Sequence, residues 1–251
     1  INDAETNDSL QAVAKRVAPK LSALNDDIYL DAKLFARVKA VYDQRKKLKL
    51  SPEQGRLLEE TYKQFVRGGA NLKESDKKEF RDINERLSVL SLKFQENNLA
   101  EANRFELVID DKKDLAGLPQ GVIDAAAELA KQKGKEGKWV FGLQKPSMIP
   151  FITYADNRAL REKIYKAYCT RSDHNDDLDN KETLREESTL RARRANLLGY
   201  KTHADYVLDD NMAKTPKHVY DLLDELGKPA LARSKAERDE MQKMIDAEGG
   251  K

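Results

Sequence analysis

Residues 172–182 read SDHNDDLDNKE, and their side chains are those that hold divalent cations. Carboxylates and amides at Asp173, Asn175, Asp176, Asp177, Asp179, Asn180 and Glu182 surround one imidazole, His174. A helix–loop–helix calcium loop needs oxygen ligands at positions 1, 3, 5 and 12, and glycine at position 6 for the sharp turn. Counted from Asp173, positions 3 and 5 are Asn175 and Asp177, which fit. Position 6 is Leu178 and position 12 is Leu184, so both the turn and the bidentate glutamate are missing. The segment therefore reads as a solvated turn between helices.

Zinc hydrolysis needs His-Glu-x-x-His, which places two imidazoles on one helix face beside a general base. Four residues after His174, His203 and His218 stand Leu178, Val207 and Leu222. His218 and Asp221, three apart, would make half a site at most, and they read as surface neighbours. The single cysteine, Cys169, excludes an internal disulfide and fits a reducing compartment. His174 lies five residues from it, off its helical face, so the thiol reads as a small apolar side chain rather than a nucleophile. The four Gly-Lys pairs, at 134, 137, 227 and 250, lack the preceding glycine of a phosphate loop. Asn7-Asp8-Ser9 matches a glycosylation triplet, but Asp8 is expected to cap a helix. No catalytic, cofactor-binding or metal residue is assigned on this chain.

The elements that would position such groups are helices. Leu10, Val13, Val17, Leu21 and Leu24 recur at intervals of three and four, and Leu34, Val38, Val41 and Tyr42 begin a second stripe. Ser51, Pro52 and Gln54 open a third helix as a capping box. Leu57, Leu58, Thr61, Tyr62, Phe65 and Val66 form its apolar face, and Gly68 or Gly69 takes the left-handed cap. Phe80, Ile83, Leu87, Leu90 and Phe94 mark a long helix from about Ser75 to Arg104. That rhythm suits an intramolecular helix pair, with a dimer seam as the alternative.

Helicity breaks between 105 and 146. FELVI (105–109) and WVFGL (139–143) are short β-branched or aromatic runs, and Val122, Ile123, Ala126, Leu129 and Ala130 between them predict a small helix. From Ser147 the chain is helical again. Leu160, Ile164, Ala167 and Tyr168 form one stripe, and Leu184, Leu190, Ala195, Leu197 and Leu198 form the next, ended by Gly199. Thr202 caps a short helix. Thr215-Pro216 starts the last one, whose core face is Val219, Leu222, Leu223 and Leu226 and which Pro229 should kink. The fold class is mainly α, a multi-helix array with a small two-stranded β element near 105–143. Its parts are helices over 1–104, the insertion over 105–146 and helices over 147–251.

With 251 residues, the chain is long enough for a sizeable core. Charged residues make up 36% and glycine and proline are few, which suits long helices exposed along one side. Lys and Arg total 46 against 44 Asp and Glu, so the chain lacks the basic excess of a nucleic-acid binder. The cluster Arg191, Arg193 and Arg194 reads as a solvated helix face. No run of 18 apolar residues is present, so no membrane partner is expected. The chain opens on Ile1 rather than methionine and closes on EGGK, and it reads as a piece of a longer polypeptide.

Three blocks carry a resemblance: NRALREKIYKAYCTR (157–171), DLDNKE (177–182) and RARRANLLGYKTHADYVLDDNMAKTP (191–216). With RLLEETYKQFVRGGANL (56–72), they resemble the thimet-oligopeptidase family of zinc metallopeptidases, nearest its bacterial peptidyl-dipeptidase (dipeptidyl carboxypeptidase) branch. The 191–216 block is specific and the 56–72 block moderately so. The resemblance implies a mostly helical enzyme with two halves flanking a deep channel. Short peptides enter the channel and dipeptides leave from their carboxyl end. It also implies zinc in the parent protein, held by a His-Glu-x-x-His helix and a later Glu in a C-terminal half beyond Lys251. The family's first helices would precede Ile1. This portion is expected to hold no zinc, to be inactive alone, and to meet short peptides and the missing catalytic half as partners. The compartment is expected to be the cytoplasm, with the periplasm as the alternative. A stand-alone helical interaction module, pairing through Phe80–Phe94, is the alternative function.

Overall fold

The caps written into the sequence set the helix starts. In this computed structural model, which describes residues 6–250, α3 (Pro52–Arg67) opens on a complete capping box. The Ser51 hydroxyl accepts from the Gln54 amide, and the Gln54 side chain accepts from the Ser51 amide. Thr202 and Asp205 repeat this device at α9 (His203–Asp209). Thr215 with Pro216 opens α10 (Pro216–Ala247). At α1 (Asp8–Tyr29) the cap is Asn7, whose side chain accepts from the Leu10 amide. Asp8 instead supplies the acidic first turn. Gly69 takes the left-handed position after α3, at φ 96°.

The other elements are α2 (Ala32–Asp43), α4 (Glu74–Arg104), β1 (Leu107–Ile109), α5 (Gln120–Gln132), β2 (Trp139–Phe141), α6 (Lys145–Tyr154), α7 (Arg158–Cys169) and α8 (Lys181–Leu197). A 3-10 turn covers Lys112–Leu115. The strands pair antiparallel, with Leu107 opposite Phe141 and Ile109 opposite Trp139. The helical array with one small β ribbon follows the expected fold class, and α5 lies between the strands as its periodicity required. So short a ribbon is stable only against a helical surface. Here that surface is α5 and α6, and Phe141 meets Phe151 at 4.6 Å between ring centroids.

The described chain forms two compact units that do not follow sequence order: residues 6–28 with 81–190, and residues 29–80 with 191–250. In the first, Leu107, Ile109, Phe141, Leu143, Phe151 and Ile164 form a fully buried core, with Leu160, Ala167 and Tyr168 of α7 packed on it. In the second, an aromatic ladder joins the α2–α3 hairpin. Tyr42 stacks on Tyr62 at 3.8 Å, Tyr62 on Phe35 at 5.8 Å, and Phe35 on Phe65 at 5.9 Å. Tyr29 meets Phe65 edge-on at 5.1 Å. Phe35, absent from the expected stripe of α2, is its buried residue, while Leu34 and Val41 are exposed.

Three apolar faces differ from expectation. On α1, Val13, Val17, Leu21 and Leu24 are exposed, and the helix buries Asp26 instead, which accepts from the Asn84 amide at 2.7 Å. On α8, Ala195 of the expected stripe is fully buried but Leu184 points outward, and Thr183 and Glu187 are buried as well, Glu187 through a hydrogen bond to α4. Ser91 donates to Glu187 at 2.6 Å, and Arg86 grips Glu186 with two nitrogens at 2.6 and 2.7 Å. On α10, Leu222, Leu223 and Leu226 are each more than half exposed, not a core face. α10 continues as one helix through Pro229, and its principal helix neighbour is α9. Conversely, Phe80, Ile83, Leu87 and Leu90 of α4 are buried within the chain, so that rhythm is not a free dimer seam.

Candidate functional site

The acidic turn joins α7 to α8, and α4 supplies the cation that organises it. Arg104, in the last turn of α4, donates to Asp176, to Asp177 at 3.2 Å and to Glu101 at 2.6 Å. Lys181, at the start of α8, reaches Asp173 and Asp179, each at 2.6 Å. The Asn175 and Lys181 backbone amides also donate to Asp179. These bonds hold the Asp179 carboxyl down at about 2, the Lys181 ammonium contributing most. The Arg104 guanidinium lowers Asp176 in the same way. Ser172 and Asn175 adopt left-handed backbone, at φ 56° each, which folds the turn back so that Asn180 N–H donates to Ser172 C=O at 2.8 Å. The carboxylates that resemble a cation site thus face protein cations. They do the chemistry of a clamp, holding the turn onto α4.

Beneath the clamp lies a buried amide pair. Asn97 of α4 donates to the Asn180 side-chain oxygen at 2.9 Å, and the Asn180 amide donates to the Phe94 carbonyl at 3.2 Å. Nothing in the residue spacing announces this pair, since its members are 83 positions apart.

The three histidines have separate surroundings. His174 lies in the acidic turn, 3.8 Å from Glu101. His218 spends its Nδ1 on the Ala213 carbonyl at 2.7 Å, while Asp221 pairs with Lys217 rather than with His218. His203 begins α9 beside the Tyr206 ring, with Nδ1 buried and lacking a hydrogen-bond partner. Burial first, and then the charges of Arg194 and Arg191, push its pKa below the usual imidazole value, so the ring is neutral at pH 7. Cys169 is exposed at the end of α7 and hydrogen-bonds Tyr165, whose hydroxyl is raised chiefly by that contact. Among the described residues, no three His, Cys, Asp or Glu side chains are grouped to hold a metal ion. The described residues do not fit a zinc centre.

The second unit contains a cluster that spacing rules missed. Arg67, at the end of α3, lies over the Tyr206 ring at 4.3 Å and donates to the Tyr206 carbonyl at 2.8 Å and to Asp209 at 3.2 Å. Tyr200 also donates to Asp209, at 2.9 Å, and Lys63 pairs with Asp210 at 2.5 Å. Burial, followed by that hydrogen bond, raises the Tyr200 hydroxyl. The Lys63 ammonium lowers Asp210. This network fastens α9 to α3. The sequence signal was the density of tyrosine and aspartate in YKTHADYVLDD, but the cation that unites them lies 139 positions upstream of Tyr206.

Between α5, β2 and α6 lies an apolar recess of about 240 Å³, lined by Val122, Ala126, Leu129, Val140 and Pro146. Its polar neighbours are spent internally. Ser147 accepts from the Gly142 amide at 3.1 Å, and Gln144 donates to Asn103 at 2.9 Å. No helix among the described residues is long and apolar enough to cross a membrane.

Residues 151–251 match the profile of Peptidase family M3. The chain is 35% identical over 247 residues to the dipeptidyl carboxypeptidase of Escherichia coli (strain K12), a match covering 98% of this chain and 36% of that protein. It is 31% identical over 254 residues to oligopeptidase A of Haemophilus influenzae, covering 100% of this chain and 37% of that protein. Against the probable cytosolic oligopeptidase A of Arabidopsis thaliana it is 34% identical over 214 residues, or 83% and 30% of the two chains. The chain thus spans about a third of the length of the curated relatives it matches.

Proposed function

This chain belongs to peptidase family M3, and on that premise we propose that it is a non-catalytic wall of a zinc metallopeptidase that releases dipeptides from the carboxyl end of short peptides. The observation that carries this reading is the 35% identity to dipeptidyl carboxypeptidase, which runs over 98% of the chain rather than over one motif. The internal chemistry supports it. The carboxylates of 173–179 are bound to Arg104 and Lys181, and His218 to a backbone carbonyl, as expected of groups that hold a shape. No catalytic step is assigned to a residue of this chain. Its contribution is positional: the clamp ties the helices of the first unit and the Arg67 network those of the second, and the peptide is cut by another part of the same protein. For the compartment we propose the cytoplasm, with the periplasm as the alternative, since the single Cys169 is compatible with both. The rival reading, a stand-alone module pairing through Phe80–Phe94, lacks its surface because four of those five side chains are buried.

The test uses an amino-blocked tripeptide and zinc analysis after dialysis. The chain alone is expected to keep no stoichiometric zinc and to release no dipeptide. The same chain joined to the part of the E. coli dipeptidyl carboxypeptidase outside the 247-residue match is expected to retain zinc and to release the dipeptide. One zinc per chain retained by the 251-residue protein, with hydrolysis that a chelator abolishes, would refute the proposal.

A further inference from the structure

α10 has 32 residues and two unlike sides. At about 100° per residue, Leu222, Leu223, Leu226, Met241, Met244 and Ile245 fall on one side, and all six are exposed. Asp221, Lys228, Lys235, Asp239 and Asp246 fall on the other. Arg233, Glu237 and Glu240 also fall on the apolar side between its two ends, Arg233 pairing with Glu237 at 2.8 Å, and the exposed Leu231 lies toward the charged side. Most helical stability in proteins comes from packing an apolar face, and exposed apolar patches such as those at 222–226 and 241–245 mark contact surfaces.

We propose that the apolar side of α10 is the surface on which the remainder of an M3 peptidase chain packs. This rests on the functional reading above and names its partner surface. Two observations favour that occupant over a second copy or an unrelated protein. α10 lies within residues 151–251, which match Peptidase family M3, so its stripe belongs to the peptidase unit itself. Relatives matched along this whole chain are nearly three times as long, since the match covers 36% of dipeptidyl carboxypeptidase and 37% of oligopeptidase A. Each of them has the bulk of its polypeptide left to cover such a face.

Hydrogen exchange tests this on the chain alone and on the joined protein described above. Joining is expected to slow amide exchange across 219–245 at least tenfold. Leu223→Glu with Met241→Glu should abolish the slowing, whereas Lys228→Glu with Asp239→Lys on the polar side should preserve it. Exchange in β1 and β2 should not change in any of them. Equal exchange across α10 in both proteins overturns the proposal. So does an α10 already protected in the free chain by self-pairing, read as a doubled mass in solution, that joining leaves unchanged. If the joined protein does not fold, the two portions are produced together as separate chains and captured through a tag on this one. Capture that Leu223→Glu with Met241→Glu abolishes supports the surface. Capture indifferent to those changes, or no capture, overturns it. Slowed exchange without peptide hydrolysis would retain the surface and remove the functional reading, and hydrolysis without slowed exchange would do the reverse.

Discussion

Replacing Asn180 by alanine should destabilise the first unit by about 1–3 kcal/mol, since its side chain makes two hydrogen bonds, each with a net worth of about 0.5–1.5 kcal/mol. The loss leaves the Asn97 amide and the Phe94 carbonyl without those partners at a site where Asn97 is 8% and Asn180 2% exposed. Asn97→Ala removes only the shared bond and should cost about 1 kcal/mol. The double variant loses that bond once, so its cost should fall short of the two single costs added together by about 1 kcal/mol. Trp139, the sole tryptophan, belongs to the same unit, so urea unfolding followed by its fluorescence reads the right transition. The slope of that transition should stay constant while the midpoint moves. Strict additivity, within about 0.3 kcal/mol, would show that the two amides do not act together. An Asn180→Ala cost below about 0.5 kcal/mol would show that the buried bonds hold nothing.

Two further outcomes follow from the same unit. Phe151→Ala removes a fully buried ring packed 4.6 Å from Phe141 and should cost about 3–5 kcal/mol, seen as a large fall in the urea midpoint read by Trp139; a cost below about 1 kcal/mol would contradict the packing. Asp179 titrates near 2 in the folded chain, below the usual carboxyl value of about 3.9. Its contribution is therefore complete above the usual value and is lost as pH falls from about 4 to about 2. Asp179→Asn should flatten that part of the stability profile, and an unchanged profile in urea melts across that range would count against the Lys181 clamp.

What the sequence disclosed was local. Ser51 with Gln54, Thr202 and Thr215 fixed helix starts because a cap depends on residues within one turn. The runs at 105–109 and 139–143 disclosed the ribbon because β-branched and aromatic residues crowd into them. Periodicity found α1 and α10 but not which way they face, since a stripe records that a surface is apolar and not what lies over it. On α8 it found Ala195, which is fully buried, but not Thr183 and Glu187, because a polar side chain buried through a hydrogen bond such as Ser91–Glu187 leaves no mark in an apolar pattern. At the acidic turn, Leu178 and Leu184 depart from the calcium-loop pattern. Its actual partner, Arg104, lies 72 positions from Asp176, beyond any spacing rule. Arg67 escaped for the same reason.

The ion pair of Arg233 and Glu237 splits the oily side of α10 into two greasy ends and an ionic centre. Charges stripped of water at a joint are costly unless hydrogen bonds replace what the solvent supplied. Any surface that closes over the full length of this helix must bring polar groups to its midpoint. A merely sticky protein would be rejected there, so the feature trades tightness for discrimination.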